Sequence, residues 1–158
     1  HRYLKTKEYQ YITMLREPVS RTISAYRYAM DRGWINEDKN IIDWFHEKEN
    51  KDKKHYQINY CSGVSIDAPL EIKLDKALIN LKSENFLFGL TSKYNEFVDL
   101  CCLVNDWKPQ YRRINITKAK KEISKDDRKE LEELLLDEIN FYEEAVNIYN
   151  KKYKKVTI

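Results

Sequence analysis

Tyr9-Gln10-Tyr11-Ile12-Thr13-Met14-Leu15-Arg16-Glu17-Pro18-Val19-Ser20-Arg21-Thr22-Ile23-Ser24-Ala25-Tyr26-Arg27 changes character at its middle. Its first half is a short run of aromatic and branched residues, which predicts a buried strand over residues 9–15. Pro18 then suits the first turn of a helix, where its missing N–H had no partner to lose. Beyond it the spacing is helical: Val19, Thr22, Ile23 and Tyr26 share one side, with Arg21, Ser24 and Tyr28 on another. The stretch therefore predicts a strand, a tight turn and a helix to about Arg32, with Gly33 as its stop.

That order puts Arg16 at the C-terminal end of a strand, the edge at which open α/β sheets bind ligands. A helix starting there presents unpaired N–H groups and a partial positive charge. Arg16 adds a planar fork of donors suited to phosphate or sulfate. Ser24 follows about two helical turns later and reaches the same anion if the strand's end folds back beside the helix. Two readings stand side by side. Arg16 and Ser24 form an anion site, or Arg16 pairs with a carboxylate such as Glu17 while Ser24 only packs.

Working outward, Ile41, Ile42, Trp44 and Phe45 predict a short amphipathic helix from Asn40. Trp44 either belongs to the core or lines an acceptor cleft with Lys48, Lys51, Lys53 and Lys54. His46 and His55 are isolated histidines, His55 lying close to Gln57. Pro69 opens a helix to about Leu81, whose Leu70, Leu74, Ala77, Leu78 and Leu81 recur at three and four. Residues 85–91 read as a short buried strand built on Phe86, Leu87, Phe88 and Leu90. Ser92 is expected to cap a helix to about Asn105, with Tyr94, Phe97, Val98, Cys101 and Val104 inward. Ser124 opens a long last helix, its buried stripe marked by Leu131, Leu134, Leu135, Phe141, Tyr142, Ala145, Ile148 and Tyr149. Lys151 to Lys155 then complement the negative pole of that helix.

A chain of 158 residues fits one domain, 1–158. Its hydrophobic share of 42% and aromatic share of 13% supply a core, and Gly and Pro, three each, favour helices over sharp turns. A net charge of +3 excludes a bulk polycation, and no nucleic-acid partner is expected. Charge is local instead: Lys108, Arg112, Arg113, Lys118, Lys120 and Lys121 fall in one segment without an acid. Such a cluster can receive a phosphate-bearing cofactor or a polyanionic glycan, or be a solvated loop. Cys61, Cys101 and Cys102 have no metal-ligand spacing, and neither a metal nor a disulfide is expected. No run approaches the ~18–20 apolar residues of a membrane span, and no secretory signal opens the chain.

Residues 15–27, Leu-Arg-Glu-Pro-Val-Ser-Arg-Thr-Ile-Ser-Ala-Tyr-Arg, resemble the 3′-phosphate motif of sulfotransferases that use 3′-phosphoadenosine 5′-phosphosulfate (PAPS). The likeness is to carbohydrate sulfotransferases of the heparan sulfate 2-O and 6-O type, with Glu17 in place of the usual Asp. Gln57 ahead of Gly63 resembles that family's Gln-Thr-Arg stretch, with Ile58-Asn59 for Thr-Arg, and implies a helix over Tyr56–Gly63. Phe86-Leu87-Phe88-Gly89-Leu90-Thr91 resembles its late strand, with Ser92 where Glu is common. Residues 112–118 resemble the basic loop that closes over the cofactor, and Asp137 through Tyr142 its terminal Asp-x-x-x-Tyr element. The family's Lys-Thr-Gly-Gly-Thr-Ser-like loop has no counterpart, since no Gly precedes Gly33.

The resemblance implies a P-loop-NTPase-like α/β fold: a short parallel sheet flanked by many helices, with the N-terminal strand and its 5′-phosphosulfate loop missing. It implies transfer of a sulfuryl group from PAPS to a hydroxyl, expected to be a carbohydrate's, leaving 3′-phosphoadenosine 5′-phosphate (PAP). Arg16 and Ser24 would hold the 3′-phosphate, with Arg112, Arg113 and Lys118 covering the cofactor. Gln57 and His55 are the candidate substrate contacts, and no residue is singled out as the base. The alternative is a catalytically incomplete module that binds anions or polyanions. The implied compartment is the Golgi lumen for a eukaryotic chain and the cytoplasm for a bacterial or viral one.

Overall fold

The computed structural model describes residues 11–47, 54–111 and 121–154. Strands β1 (Tyr11–Leu15) and β2 (Phe86–Leu90) pair in parallel, Tyr11 opposite Phe86 and Leu15 opposite Leu90. Parallel neighbours need a long crossover. Here it consists of helices α1 (Pro18–Asp31), α2 (Ile41–His46), α3 (Tyr56–Ser62) and α4 (Leu70–Lys82). After β2 a single 3-10 turn leads into α5 (Tyr94–Asn105), α6 (Lys125–Leu134) and α7 (Leu136–Lys152). The described chain is thus a helix-rich α/β structure around a short two-stranded parallel sheet.

A pair of parallel strands has two outer edges, each with main-chain groups in need of partners. The Tyr11 N–H donates to the Asn85 carbonyl at 2.8 Å, so alternate residues of β1 face β2 and the even-numbered ones face away. Side chains take the place of the next strand on both sides. On the far side of β2, the Lys152 ammonium donates to the Phe86 carbonyl at 2.7 Å, and the Phe88 N–H donates to the Tyr153 hydroxyl at 3.2 Å. On the far side of β1, the Gln57 side-chain amide pairs with both the N–H and the carbonyl of Arg16, each at 2.9 Å.

Burial is unequal between the strands. All of β2 is buried, whereas Tyr11 and Ile12 of β1 are exposed and Leu15 is the one residue of that strand fully enclosed. The expected buried strand is therefore an edge strand whose aromatic end faces solvent. One core joins β2 to α3, α4 and α7 through Phe88, Ile58, Leu81, Phe141 and Ile148. A second joins α1 to α2, α6 and the α6–α7 junction through Val19, Tyr26, Trp44, Leu131 and Leu135. Trp44 is buried there against the Tyr26 ring, which settles it as core rather than cleft.

Helix ends follow local chemistry. Asn40 caps α2 by accepting from the Ile42 N–H at 2.6 Å, and Ser124 caps α6 by accepting from the Asp127 N–H at 2.9 Å. Gly63 ends α3 at φ 65°, a left-handed conformation that suits glycine. Three expectations need correction. Ser92 lies in the 3-10 turn, and α5 begins two residues later without a side-chain cap. The buried face of α5 is Phe97, Leu100 and Cys101, while Tyr94 and Val104 are exposed. The long last helix is two helices that meet at Leu135, whose backbone (φ −103°, ψ 13°) leaves the helical path while its side chain stays in the core.

Candidate functional site

Arg16 ends β1, and the chain turns through Glu17 into α1. The Glu17 carboxylate accepts from the Val19 N–H at 2.8 Å and the Ser20 N–H at 2.7 Å. Burial works to raise the pKa of this carboxyl, but the Ser20 hydroxyl, the two amides and Arg128 outweigh it and hold the group below the usual glutamate range. The helix end expected to be open is therefore occupied by the chain's own carboxylate. Glu17→Ala is expected to cost about 1 kcal/mol, as losing an N-cap does. Because the folded pKa is depressed, that contribution is present above the unfolded pKa and lost as pH falls through the folded one. Denaturant unfolding of both proteins at neutral and acid pH checks this, the gap closing in acid; a gap of constant size would assign the cap elsewhere.

Beside the C-terminal half of β1 lies a pocket of about 300 Å³. Thr13, Met14, Leu15 and Arg16 form its strand wall; Arg21 of α1 and Tyr56, Gln57 and Tyr60 of α3 complete the described lining. Tyr56 and Tyr60 are four apart, so one face of α3 brings both phenols to the same side. The Arg21 guanidinium packs over the Tyr56 ring at 4.9 Å. Its pKa is lowered by burial, against the pull of Glu138 and Tyr56, while the second cation, Arg16, pushes the same way as burial. Two guanidiniums thus share one pocket with two phenols.

No family model, curated protein or solved structure matches this chain. The chemistry of the pocket is read from its own residues. Guanidiniums and phenol hydroxyls suit an anionic ligand with oxygen acceptors. Neither a carboxylate nor an imidazole is in the described lining, so proton abstraction needs a group brought from another part of the molecule. Among the described residues no cluster of His, Cys, Asp or Glu could hold a metal ion, and no helix is long and apolar enough to cross a membrane. Cys61, Cys101 and Cys102 are free thiols.

The residues singled out from the sequence are spread unevenly around this pocket. Arg16 lines it. Ser24 is half-buried one turn beyond Arg21 on α1, outside the lining. Gln57 is buried, its amide engaged by the Arg16 main chain and by Glu138 Oε2 at 3.2 Å, so it braces the pocket wall. His55 precedes Tyr56 and has Nε2 3.0 Å from Asp137 Oδ2. Arg112, Arg113 and Lys118 lie outside the described residues. The chain that follows them is anchored: the Arg27 guanidinium donates to the Lys121 carbonyl at 3.1 and 2.7 Å, and the Lys121 ammonium to the carbonyls of Glu37 and Lys39. The last Arg of the quoted stretch is thus a tether for the end of the basic segment.

Sequence reading missed Arg21, Tyr56, Tyr60 and Glu138. Glu138 is completely buried and accepts from the Ile58 N–H at 2.9 Å, so α7 caps α3 from outside. Burial raises its pKa, opposed by the Ile58 amide, Arg21 and Gln57. A signal for it existed. Glu138 falls in the stripe Leu131, Leu135, Phe141, Ala145, where helical spacing calls for an apolar side chain.

Proposed function

We propose that this chain is a PAPS-dependent sulfotransferase domain of P-loop-like fold, acting on a hydroxyl of a carbohydrate, with Arg16 as the anchor of the cofactor's 3′-phosphate. One observation carries the reading. Arg16 stands at the C-terminal end of a parallel strand, at a strand-to-helix turn, in a pocket that holds a second guanidinium. The helix-rich α/β order and the motif at residues 15–27 agree with it. When bound, PAPS supplies an activated sulfuryl group and a bisphosphate that leaves.

The chain's own part is to bind and to orient. The Arg16 fork meets the phosphate oxygens, its main chain held by Gln57 so that little order is lost on binding. Arg21 adds charge to the same pocket, and Ser24 is the expected hydroxyl contact from α1. Arg112, Arg113 and Lys118 are proposed to cover the cofactor. His55, oriented by Asp137, is the proposed acceptor contact beside Tyr56. Calorimetric titration with PAP checks this: Arg16→Ala should weaken binding by roughly tenfold to a hundredfold, the effect of one charge-assisted contact. Equal affinity in both proteins removes Arg16 from the site.

A second reading is favoured by the absence of any carboxylate or imidazole from the described lining. On it, the chain is an anion- or polyanion-binding module without transfer activity. It predicts heparin binding that weakens with salt and no sulfate transfer from labelled PAPS; measurable transfer excludes it.

A further inference from the structure

The ligand chemistry of the pocket has no use for Glu138, yet this carboxylate is fully enclosed behind Gln57, outside the pocket lining. Each of its oxygens meets a different donor: Oε1 the Ile58 N–H at 2.9 Å, Oε2 the Gln57 side-chain nitrogen at 3.2 Å. An ionised carboxylate only accepts. The nitrogen end of the Gln57 amide must therefore face Glu138, and its oxygen must face the Arg16 N–H. The second hydrogen of that nitrogen then reaches the Arg16 carbonyl, both Arg16 contacts being 2.9 Å. Hydrogen-bond polarity runs from α7 through α3 to the end of β1.

We propose that Glu138 is the positioning residue of this pocket: its ionised carboxylate fixes the orientation of the Gln57 amide, Gln57 fixes the main chain of Arg16, and anion affinity follows the charge on Glu138. The choice of PAP as the ligand rests on the reading under Proposed function; the positioning relay stands on the hydrogen bonds alone. The charged and titratable groups that act on Glu138 are Arg21 on α1 and Cys61 on α3; Tyr56 lies against Arg21, the His55–Asp137 pair flanks Tyr56 and Glu138 in sequence, and Arg16 stands beyond Gln57. Cys61 does not compete for protons near neutral pH, its thiol being pushed up to about 12 by burial and then by Glu138.

Neutralising Glu138 turns one acceptor into a donor. Both neighbours donate, so a proton carried on Oε2 faces the Gln57 nitrogen and weakens that contact, and Gln57 accepts from the new donor only by turning its oxygen away from Arg16. Burial raises the pKa of this carboxyl, so it takes up its proton at a higher pH than an ordinary glutamate. The sign for global stability is opposite. A carboxyl with a raised folded pKa contributes stability that is fully present at low pH and lost as pH rises through the folded pKa. Uptake of that proton as pH falls thus loosens the relay at Arg16 without unfolding the protein through this residue.

Amide exchange of Arg16 in nitrogen-labelled protein, normalised for intrinsic pH dependence, reads the relay without any ligand. Glu138→Gln and Gln57→Ala should each speed it about tenfold at neutral pH, the equivalent of one net hydrogen bond. In wild type it should rise toward the Glu138→Gln level as pH falls, while in Glu138→Gln it stays flat over the same range, which separates Glu138 from the His55–Asp137 pair. PAP affinity should fall in step in Glu138→Gln while the melting temperature holds. Arg16 exchange in Glu138→Gln equal to wild type, with Gln57→Ala fast, overturns the relay. If Glu138→Gln does not fold, the wild-type pH profile decides alone, and a flat profile overturns the relay. Exchange that follows Glu138 in a protein that binds no PAP would keep the relay and discard the cofactor.

Discussion

Gly89→Ala is expected to lower stability by about 3 kcal/mol and the melting temperature by roughly 6–12 °C. Gly89 needs its residue type for space. A Cβ there would lie 2.2 Å from Phe97 Cγ, 2.3 Å from Cδ1 and 2.7 Å from Cβ. The clash reaches the root of the Phe97 side chain, so a change of rotamer does not relieve it, and α5 must move off the sheet as a body. Phe97 is itself buried, with Leu100, Cys101 and Leu87, in the contact that joins α5 to β2. Phe97→Ala alone should cost ~3–5 kcal/mol by leaving a cavity. Combined, the two changes partly cancel, because the added methyl enters the space the ring has left. Thermal denaturation of both single variants and the double variant should give a total at least 1 kcal/mol below the sum. Strict additivity would mean that the methyl and the ring do not meet.

What could be read in the sequence, and what could not, divides along the range of the forces involved. Elements set by neighbours in the chain were legible: Pro18 inside the start of α1, the start of α2 at Asn40, Ser124 as the cap of α6, and Gly33 after the end of α1. Both strands were also legible, as apolar runs too short for helices. Partners brought from far along the chain were not. Gln57 was read as a substrate contact, because nothing near residue 57 shows that its amide closes the edge of β1, 41 residues earlier. The break at Leu135 has neither Gly nor Pro to announce it; an apolar residue there satisfies the core of either helix. At the site, Arg16 was legible because a strand, a turn and a proline are local facts. Arg21, Tyr56 and Tyr60 became pocket residues only once α3 was packed against the outer side of β1.

Lys152 tests this division, since its local and its tertiary readings predict different numbers. As one of several basic residues at the end of α7, it would offset the helix's negative pole, worth ~0.3–1 kcal/mol at an exposed position and screened by salt. The folded chain uses it otherwise. Its ammonium donates to the carbonyls of Leu81 at 3.0 Å, Ser83 at 2.7 Å and Phe86 at 2.7 Å, which engages all three of its hydrogens. Leu81 and Ser83 belong to the end of α4, whose last carbonyls have no partner within the helix, and Phe86 opens β2. One side chain thereby joins the ends of α7 and α4 to the outer edge of the sheet, its charge also lying 5.8 Å from the Phe88 ring centre. Lys152→Met keeps the length of the stem and removes every donor. The expected loss is about 3 kcal/mol, or roughly 6–12 °C in melting temperature, part of the full cost being recovered by water at this half-buried position. Arg should restore only part of it, because a planar fork does not converge on three carbonyls from one point. The acceptors are neutral, so the loss should be as large in 1 M salt as in dilute buffer. A loss below 1 kcal/mol that disappears in salt would return Lys152 to the helix-pole role and leave the edge of β2 to Tyr153.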